Sequence, residues 1–274
     1  MSNNVTYYSA QKLLVGGTNI KAVQSADVDF ALPRQDVYEF GTFWAVDNIQ
    51  VEPATASLNF SYALASGVNN HTVLGLNDIG AFVGDIIGKT YVLSGAGILT
   101  LPSGLVNSFK VDGSVGNVPT VTVGVQGLDL TYSAGSPVFP QNGGTASVGN
   151  VIRPDQISIS LGGDIYECRS FSFNLDIPRE YIKVLGSLTP IANIMTNPPK
   201  VTVEAEIVLR NEINPKFSSN SLQDVIIDCG GIEYTASDTK LANFSSKTDL
   251  QDVQIANITL EAPVKGVNQL TIGG

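Results

Sequence analysis

Ser25-Ala-Asp-Val-Asp-Phe-Ala-Leu-Pro-Arg-Gln-Asp-Val-Tyr-Glu-Phe-Gly41 and Ser170-Phe-Ser-Phe-Asn-Leu-Asp-Ile-Pro-Arg-Glu-Tyr-Ile-Lys-Val-Leu-Gly186 stand 145 residues apart in one chain. At the same spacing Pro33-Arg34 falls on Pro178-Arg179, Gly41 on Gly186 and Pro53 on Pro198. Upstream, Ile20 falls on Ile165, and Gly16-Gly17 on Gly162-Gly163 after a slip of one residue. Downstream, Tyr91 and Tyr234 pair at a spacing of 143. Coinciding punctuation at one period marks an internal repeat. The chain therefore reads as two copies of one domain, residues 1–140 and 151–274. The stretch Ser133-Ala-Gly-Ser-Pro-Val-Phe-Pro-Gln-Asn-Gly-Gly-Thr-Ala-Ser147 has the composition of a linker or arm, placed at residues 133–150. Charge divides evenly: residues 1–150 hold 5 basic and 10 acidic side chains, and the remainder 10 and 15. The first copy is the longer, with its extra residues placed at 95–112.

The repeated unit is a pair of half-buried strands. Ala26, Val28, Phe30 and Leu32 alternate with Ser25, Asp27, Asp29 and Ala31. In the second copy Phe171, Phe173, Leu175 and Ile177 alternate with Ser170, Ser172, Asn174 and Asp176. Leu58, Phe60, Tyr62 and Leu64 oppose Ser57, Asn59, Ser61 and Ala63; Val203, Ala205, Ile207 and Leu209 oppose Thr202, Glu204, Glu206 and Val208. Period-two patterning means sheets packed on one face. A one-residue slip would invert both faces, so the register must be kept between the copies. Pro33 and Pro178 end the first strand of each copy. Ile79, Phe82, Val83, Ile86 and Ile87, capped by Asn77 or Asp78 and stopped by Gly88, predict a short amphipathic helix. Leu222, Val225, Ile226 and Cys229 fit either its partner helix or a strand. Final strands are predicted at 118–131 and 252–264. The fold class is mostly β, with a short helix in each copy.

Composition narrows the function. Hydrophobic residues make up 43% of the 274, enough for a packed core, while charged residues are only 15%, against about 25% in ordinary soluble domains. A surface so poor in charge predicts burial in an assembly. The net charge of −10 opposes a protein that grips nucleic acid through phosphates. No apolar run approaches the length of a spanning helix, and MSNNVTYYSAQKLL lacks the layout of a secretory leader. Cys168 and Cys229 read as small buried hydrophobes. His71 is the sole histidine, in the polar run Asn69-Asn70-His71-Thr72, and reads as a solvated loop residue. One histidine excludes a His-based triad or a multi-histidine metal site within one chain. Paired carboxylates remain, but Asp27 and Asp29 align with Ser172 and Asn174, and Glu204 and Glu206 with Asn59 and Ser61. The copies agree on polarity, not on the carboxyl group that acid–base work needs. No enzyme and no cofactor is expected.

Val23–Gly41, Pro53–Tyr62 (PATASLNFSY) and Ser66–Gly75 (SGVNNHTVLG) resemble the tail tube, or major tail, proteins of tailed bacteriophages. Shared are a strand ending in Pro-Arg, a polar stretch to Phe-Gly, a Pro before a Ser-Tyr strand, and an Asn-rich turn before Leu-Gly. The likeness covers residues 23–76 and, more weakly, 167–209. It implies β-sandwich or barrel domains assembled into stacked rings, four strands per domain lining a lumen through which the genome passes. It also implies a place in the virion's tail tube, no membrane, no specific DNA binding, and terminator, tape measure and distal tail proteins as partners. Most such proteins have one domain and form hexamers; a duplicated chain implies three chains per ring. Twenty-four strands about 4.8 Å apart and tilted by about 40° give a backbone diameter of about 48 Å.

Within this resemblance the polar strand faces are the expected lumen: Asp27, Asp29, Ser57, Asn59, Ser61, Ser172, Asn174, Asp176, Thr202, Glu204 and Glu206. Lys200 is the nearest cation, and no Arg lies on these faces. The loops 35–53 and 180–198 carry Phe43, Trp44, Ile191 and Met195, the expected ring-to-ring contacts. A tail hub or distal-tail adaptor is the related alternative. A monomeric carbohydrate-binding β module is the alternative of another class; it needs outward aromatics, whereas Phe30, Phe60, Tyr62, Phe171 and Phe173 read as core and only Trp44 does not.

Overall fold

A computed structural model describes residues 12–68, 70–76, 88–94, 97–134, 150–209, 222–248, 254–265 and 269–273. The chain is mostly β, as its alternation predicts. The first half runs through β1 (Lys12–Val15), β2 (Thr18–Ile20), β3 (Val23–Ala31), β4 (Arg34–Tyr38), β5 (Ala45–Gln50), β6 (Thr55–Ala63), β7 (Ala65–Ser66), α1 (Asn70–Leu74), β8 (Lys89–Ser94), β9 (Ile98–Ser114), β10 (Thr120–Gly127) and β11 (Thr131–Ser133). The second holds β12 (Asn150–Val151), a 3-10 turn (Pro154–Gln156), β13 (Ile157–Leu161), β14 (Asp164–Asp176), β15 (Arg179–Ile182), β16 (Ala192–Met195), β17 (Lys200–Leu209), β18 (Gln223–Cys229), β19 (Ile232–Thr248), β20 (Gln254–Pro263) and β21 (Leu270–Gly273).

Among the described residues all pairings are antiparallel. In the first half β1 pairs with β2 and β8, β8 with β9, β9 with β10 and β11, β10 with β6, and β6 with β3. In the second, β13 pairs with the start of β14 and with β18, β18 with β19, β19 with β20 and β21, β20 with β17, and β17 with the rest of β14. The order of partners is the same. In the second half this circuit closes into a barrel. In the first, the strand is interrupted between β2 and β3, where Ala22 takes φ +60°.

Two long strands organise the molecule. The first part of β9 pairs outward with β8 and β11, and its last part pairs with β10 and with β14. β19 likewise leaves β18 and β21 to join β20. The β9–β14 ladder, Ser108↔Asp176 through Ser114↔Ser170, fuses the halves into one eight-stranded sheet of order β19-β20-β17-β14-β9-β10-β6-β3. Its apolar face carries Phe60 and Tyr62 from β6, Phe109 and Val111 from β9, Phe173 and Leu175 from β14, and Val203 and Ile207 from β17. These pack with Leu13, Tyr91, Ile159 and Tyr234 of the outer strands into one core cluster spanning both halves. Full burial of such a side chain contributes roughly 1.5–3 kcal/mol.

Several expectations need correction. The helix placed on Ile79–Ile87 lies outside the described residues; the helix described is α1, a few residues earlier, and the second half has no α-helix among its described residues. Leu222, Val225, Ile226 and Cys229 belong to strand β18 and its approach. Ile20 does not match Ile165. Ile20 is buried and pairs with Leu13, whereas Ile165 is exposed and the buried residue in that ladder position is Tyr166, paired with Ile159. Tyr91 does not match Tyr234 either: Tyr91 faces Val15 on β8, and Val225 on β18 faces Leu161, so Tyr91 and Val225 share a ladder position. The first half is therefore longer at residues 64–88 between β6 and β8, against 210–222 between β17 and β18, and not at 95–112. The loops 35–53 and 180–198 are hairpins, β4–β5 and β15–β16. Most of the expected linker, 135–149, lies outside the described residues; beyond it β12 pairs with β7.

Candidate functional site

Opposed residues in an antiparallel ladder share a face. Asp27 opposes Asn59 and Asp29 opposes Ser57; Ser172 opposes Glu204 and Asn174 opposes Thr202. Across the junction Ser172 also opposes Asp112, and Asp112 opposes Thr120. The eleven polar residues expected to act together (Asp27, Asp29, Ser57, Asn59, Ser61, Ser172, Asn174, Asp176, Thr202, Glu204 and Glu206) thus lie on one face of one sheet. A groove of about 580 Å³ runs along it, bounded by Lys110 and Asp112 of β9, Ser170 of β14, Glu204 and Glu206 of β17, and Asn257 of β20. The polar face is concave there.

The charge of this face differs from expectation. β9, β19 and β20 add Lys110, Asp112, Lys240, Lys247 and Glu261. Lys200 is not the nearest cation to every acid: Arg169 Nη1 sits 3.1 Å from Glu206 Oε1, Lys110 Nζ 2.9 Å from Asp112 Oδ1, and Lys200 Nζ 2.7 Å from Glu261 Oε2. Seven carboxylates (Asp27, Asp29, Asp112, Asp176, Glu204, Glu206, Glu261) stand against five cations (Lys110, Arg169, Lys200, Lys240, Lys247), a mild acid excess. Each exposed pair contributes about 0–1 kcal/mol. The sequence reading missed the cations because it had not yet placed β9 and β19 beside the two repeated strands.

The sheet ends at β3 on one side and, for residues 240–248, at β19 on the other. Phe30 on β3 is 46% exposed, so it is not core as its pattern predicts, whereas Phe60, Tyr62, Phe171 and Phe173 are. Leu175, which occupies the same position on β14 145 residues later, is 0% exposed because β9 covers it.

The two hairpins form a second surface. Phe40, Phe43 and Trp44 at the β4–β5 turn are almost wholly exposed, as is Leu185 between β15 and β16; Ile191 there is about two-thirds exposed and Met195 about one-third. Lys183 Nζ meets Glu52 Oε2 at 2.5 Å, joining the base of the first hairpin to the turn end of the second.

His71 is not a solvated loop residue. It is the second residue of α1 and is buried, with Nε2 2.8 Å from the Tyr234 hydroxyl. Its ring lies 6.2 Å from Tyr62, 6.1 Å from Phe109 and 5.7 Å from Tyr234. α1 therefore reaches from the first half onto β19 of the second. Burial lowers the His71 pKa from 6.5 to about 4 and raises both tyrosines. Cys229 is buried and Cys168 half-buried; burial pushes their thiols to about 12 and about 11. Among the described residues no group of three or more His, Cys, Asp or Glu is placed to hold a metal ion, and no helix is long and apolar enough to cross a membrane.

No protein family model matches the chain, and no curated protein matches it.

Proposed function

We propose that the chain is the structural subunit of a bacteriophage tail tube: two copies of one tube domain, three chains per ring, rings stacked so that the polar face lines the lumen. The observation that carries the reading is the eight-stranded sheet. It has one continuous polar face, concave around the groove, and an opposite face that carries core side chains, and among the described residues it runs from β3 at one end to residues 240–248 of β19 at the other. Such a sheet is an arc, and arcs of this kind close by joining end to end.

The identical partner order of the two halves supports duplication, since a repeated sequence preserves register to keep its faces. Three arcs of eight strands give a backbone diameter of about 48 Å, and about 38 Å after side chains on both walls, wide enough for duplex DNA. A wall carrying a mild acid excess, with Lys110 and Lys200 each paired to a carboxylate, offers phosphates no adhesive track, so DNA slides without specific binding. The hairpins, with their exposed aromatic and aliphatic side chains, are the stacking surface. The protein works with terminator, tape measure and distal tail proteins, needs no cofactor and catalyses nothing.

Native mass measurement and negative-stain microscopy of the purified protein test this. Three-chain rings or tubes with a central hole are expected. A monomer that persists at high concentration, or rings of six whole chains, overturns the reading.

A further inference from the structure

We infer that the β15–β16 hairpin carries a binding site for an extended peptide: the Asn193 carboxamide pairs with one backbone amide unit, and an aliphatic side chain of the peptide fills the cavity beside it. The site stands apart from the tube reading and does not depend on it. The cavity, of about 340 Å³, lies between this hairpin and the first half of the chain. Leu105 of β9, Leu128 after β10, and Pro190 and Ile191 ahead of β16 give it apolar walls. Tyr181 of β15 and Asn193 of β16, opposed across the hairpin, complete the lining.

The internal repeat sets this asparagine apart. Asp36↔Asn48 in the first hairpin stands where Tyr181↔Asn193 stands in the second, 145 residues on. Asn48 is satisfied within its own hairpin: its Nδ2 donates to Asp36 Oδ1 at 2.6 Å, and its Oδ1 accepts from Arg34 Nη1 at 3.4 Å. The second hairpin keeps the asparagine and loses both of these bonds. A tyrosine replaces the aspartate, and Arg179, the counterpart of Arg34, donates from Nε to the Val106 carbonyl at 3.2 Å. Both amide atoms of Asn193 are buried, and neither has a hydrogen-bond partner among the described residues. The Tyr181 hydroxyl lies near the amide without hydrogen-bond geometry to it. A donor and an acceptor buried together unpaired are costly and rare in a folded chain. The cavity is also held open from both ends: Arg179 fixes the base of the hairpin on β9, and Lys183 with Glu52 fixes its turn end. A preformed site of this kind spends little on ordering when it binds.

The unpaired atoms select the ligand. A carboxamide presents a donor and an acceptor side by side, the complement of the C=O and N–H that an extended residue turns to one side. The volume is at the small end of ligand pockets and suits one side chain with its flanking amides; the apolar walls suit an aliphatic one. A nucleotide is opposed by the exposed Asp129 in the lining and by the net charge of −10. A sugar would leave most of its hydroxyls against aliphatic walls.

The test titrates N-acetyl-leucine N′-methylamide, a single blocked residue, into the dilute full chain and reads saturation transfer to its methyl protons. A dissociation constant of about 1 mM is expected, usual for so small a ligand. Asn193→Leu should weaken binding by about tenfold or more, the loss expected of two hydrogen bonds, and the same probe methylated on both nitrogens should bind the wild type as weakly. Asn48→Leu should leave the affinity unchanged. Urea unfolding separates binding from structure: Asn193→Leu removes an unpaired amide, so its midpoint should equal or exceed that of the wild type. A lower midpoint, or a variant that does not fold, would mean that the chain itself satisfies Asn193, and overturns the inference. It is overturned equally by the absence of saturation transfer with the wild type, by equal affinity of the two probes, or by a loss in Asn48→Leu as large as in Asn193→Leu. The readout needs no ring, so a chain that stays monomeric and binds the probe refutes the ring alone, and rings that ignore the probe refute this site alone.

Discussion

Lowering the pH should destabilise this protein, and one residue should account for a separable share of the loss. His71 is the only histidine, buried between the Tyr62, Phe109 and Tyr234 rings. Its folded pKa is about 4, against 6.5 unperturbed. In that interval the unfolded chain takes up a proton that the folded chain refuses. Stability is therefore full above pH 6.5 and falls as pH drops, until the folded imidazole itself titrates near pH 4. Two and a half pH units at about 1.4 kcal/mol each amount to about 3 kcal/mol, a large share of the 5–15 kcal/mol typical of a folded domain. The assay is urea unfolding at pH 7, 6, 5 and 4.5 for wild type and His71→Gln. Glutamine keeps a partner for the Tyr234 hydroxyl and does not titrate, so the difference between the two curves isolates the imidazole from the carboxylates common to both. It should shrink by about 3 kcal/mol towards pH 4. Because the chain has one histidine, its ring proton resonance is unambiguous and gives the pKa directly. A resonance titrating near 6.5, or a difference constant from pH 7 to 4, would refute the argument.

Three further outcomes follow from other parts of the molecule. Phe43→Ser with Trp44→Ser, on an exposed hairpin turn, should leave ring mass unchanged and slow tube elongation at least tenfold, since each aromatic can bury about 150–250 Å² in a contact; tubes of normal length by microscopy would sink the stacking role. Asn59→Lys with Glu204→Lys should permit assembly but slow genome release from tails, because added cations hold phosphates by counterion release; normal release from tails in which both positions react with an external label would show that the face is outside. Gly113→Val should lower the urea midpoint by an amount equivalent to about 1–3 kcal/mol, since a Cβ at Gly113 would fall 2.3 Å from the Phe171 ring at the β9–β14 junction; an unchanged midpoint would mean that the junction is looser than its geometry indicates.

The repeated strands were legible because period-two alternation survives divergence: Asp27 and Ser172 share nothing but polarity, yet both stand on the same face. The hairpins and β8 were harder. Residues 35–53 read as a loop because Val37, Tyr38, Val46 and Ile49 belong to an isolated two-stranded ribbon with no buried side to impose alternation. The later strands were misaligned because the difference in length lies between β6 and β8, before the strands being compared. Beyond it, the true spacing is 135 at Phe109 and Phe244. His71 escaped for another reason. Its sequence neighbours are polar, but it sits on a single helical turn that points it at Tyr234, 163 residues away. No local pattern reports so distant a partner.

Phe30 shows what a monomer's sequence encodes without revealing. Alternation marks it as core, and in the isolated chain it is not. Under the proposed ring that contradiction resolves, because the core of this sheet is completed by the next subunit. Under the same proposal, duplication changes the energetics of closure. A ring of six separate domains has six junctions to form between molecules, each opposed by the loss of translational and rotational freedom, roughly 4–15 kcal/mol per association. In the fused chain three of those junctions, the β9–β14 ladders, form during folding, where the chain already holds the partners together. The remaining three carry the whole cost of assembly. They are also free to diverge from the internal copy, since β3 and β19 no longer need to match β14 and β9.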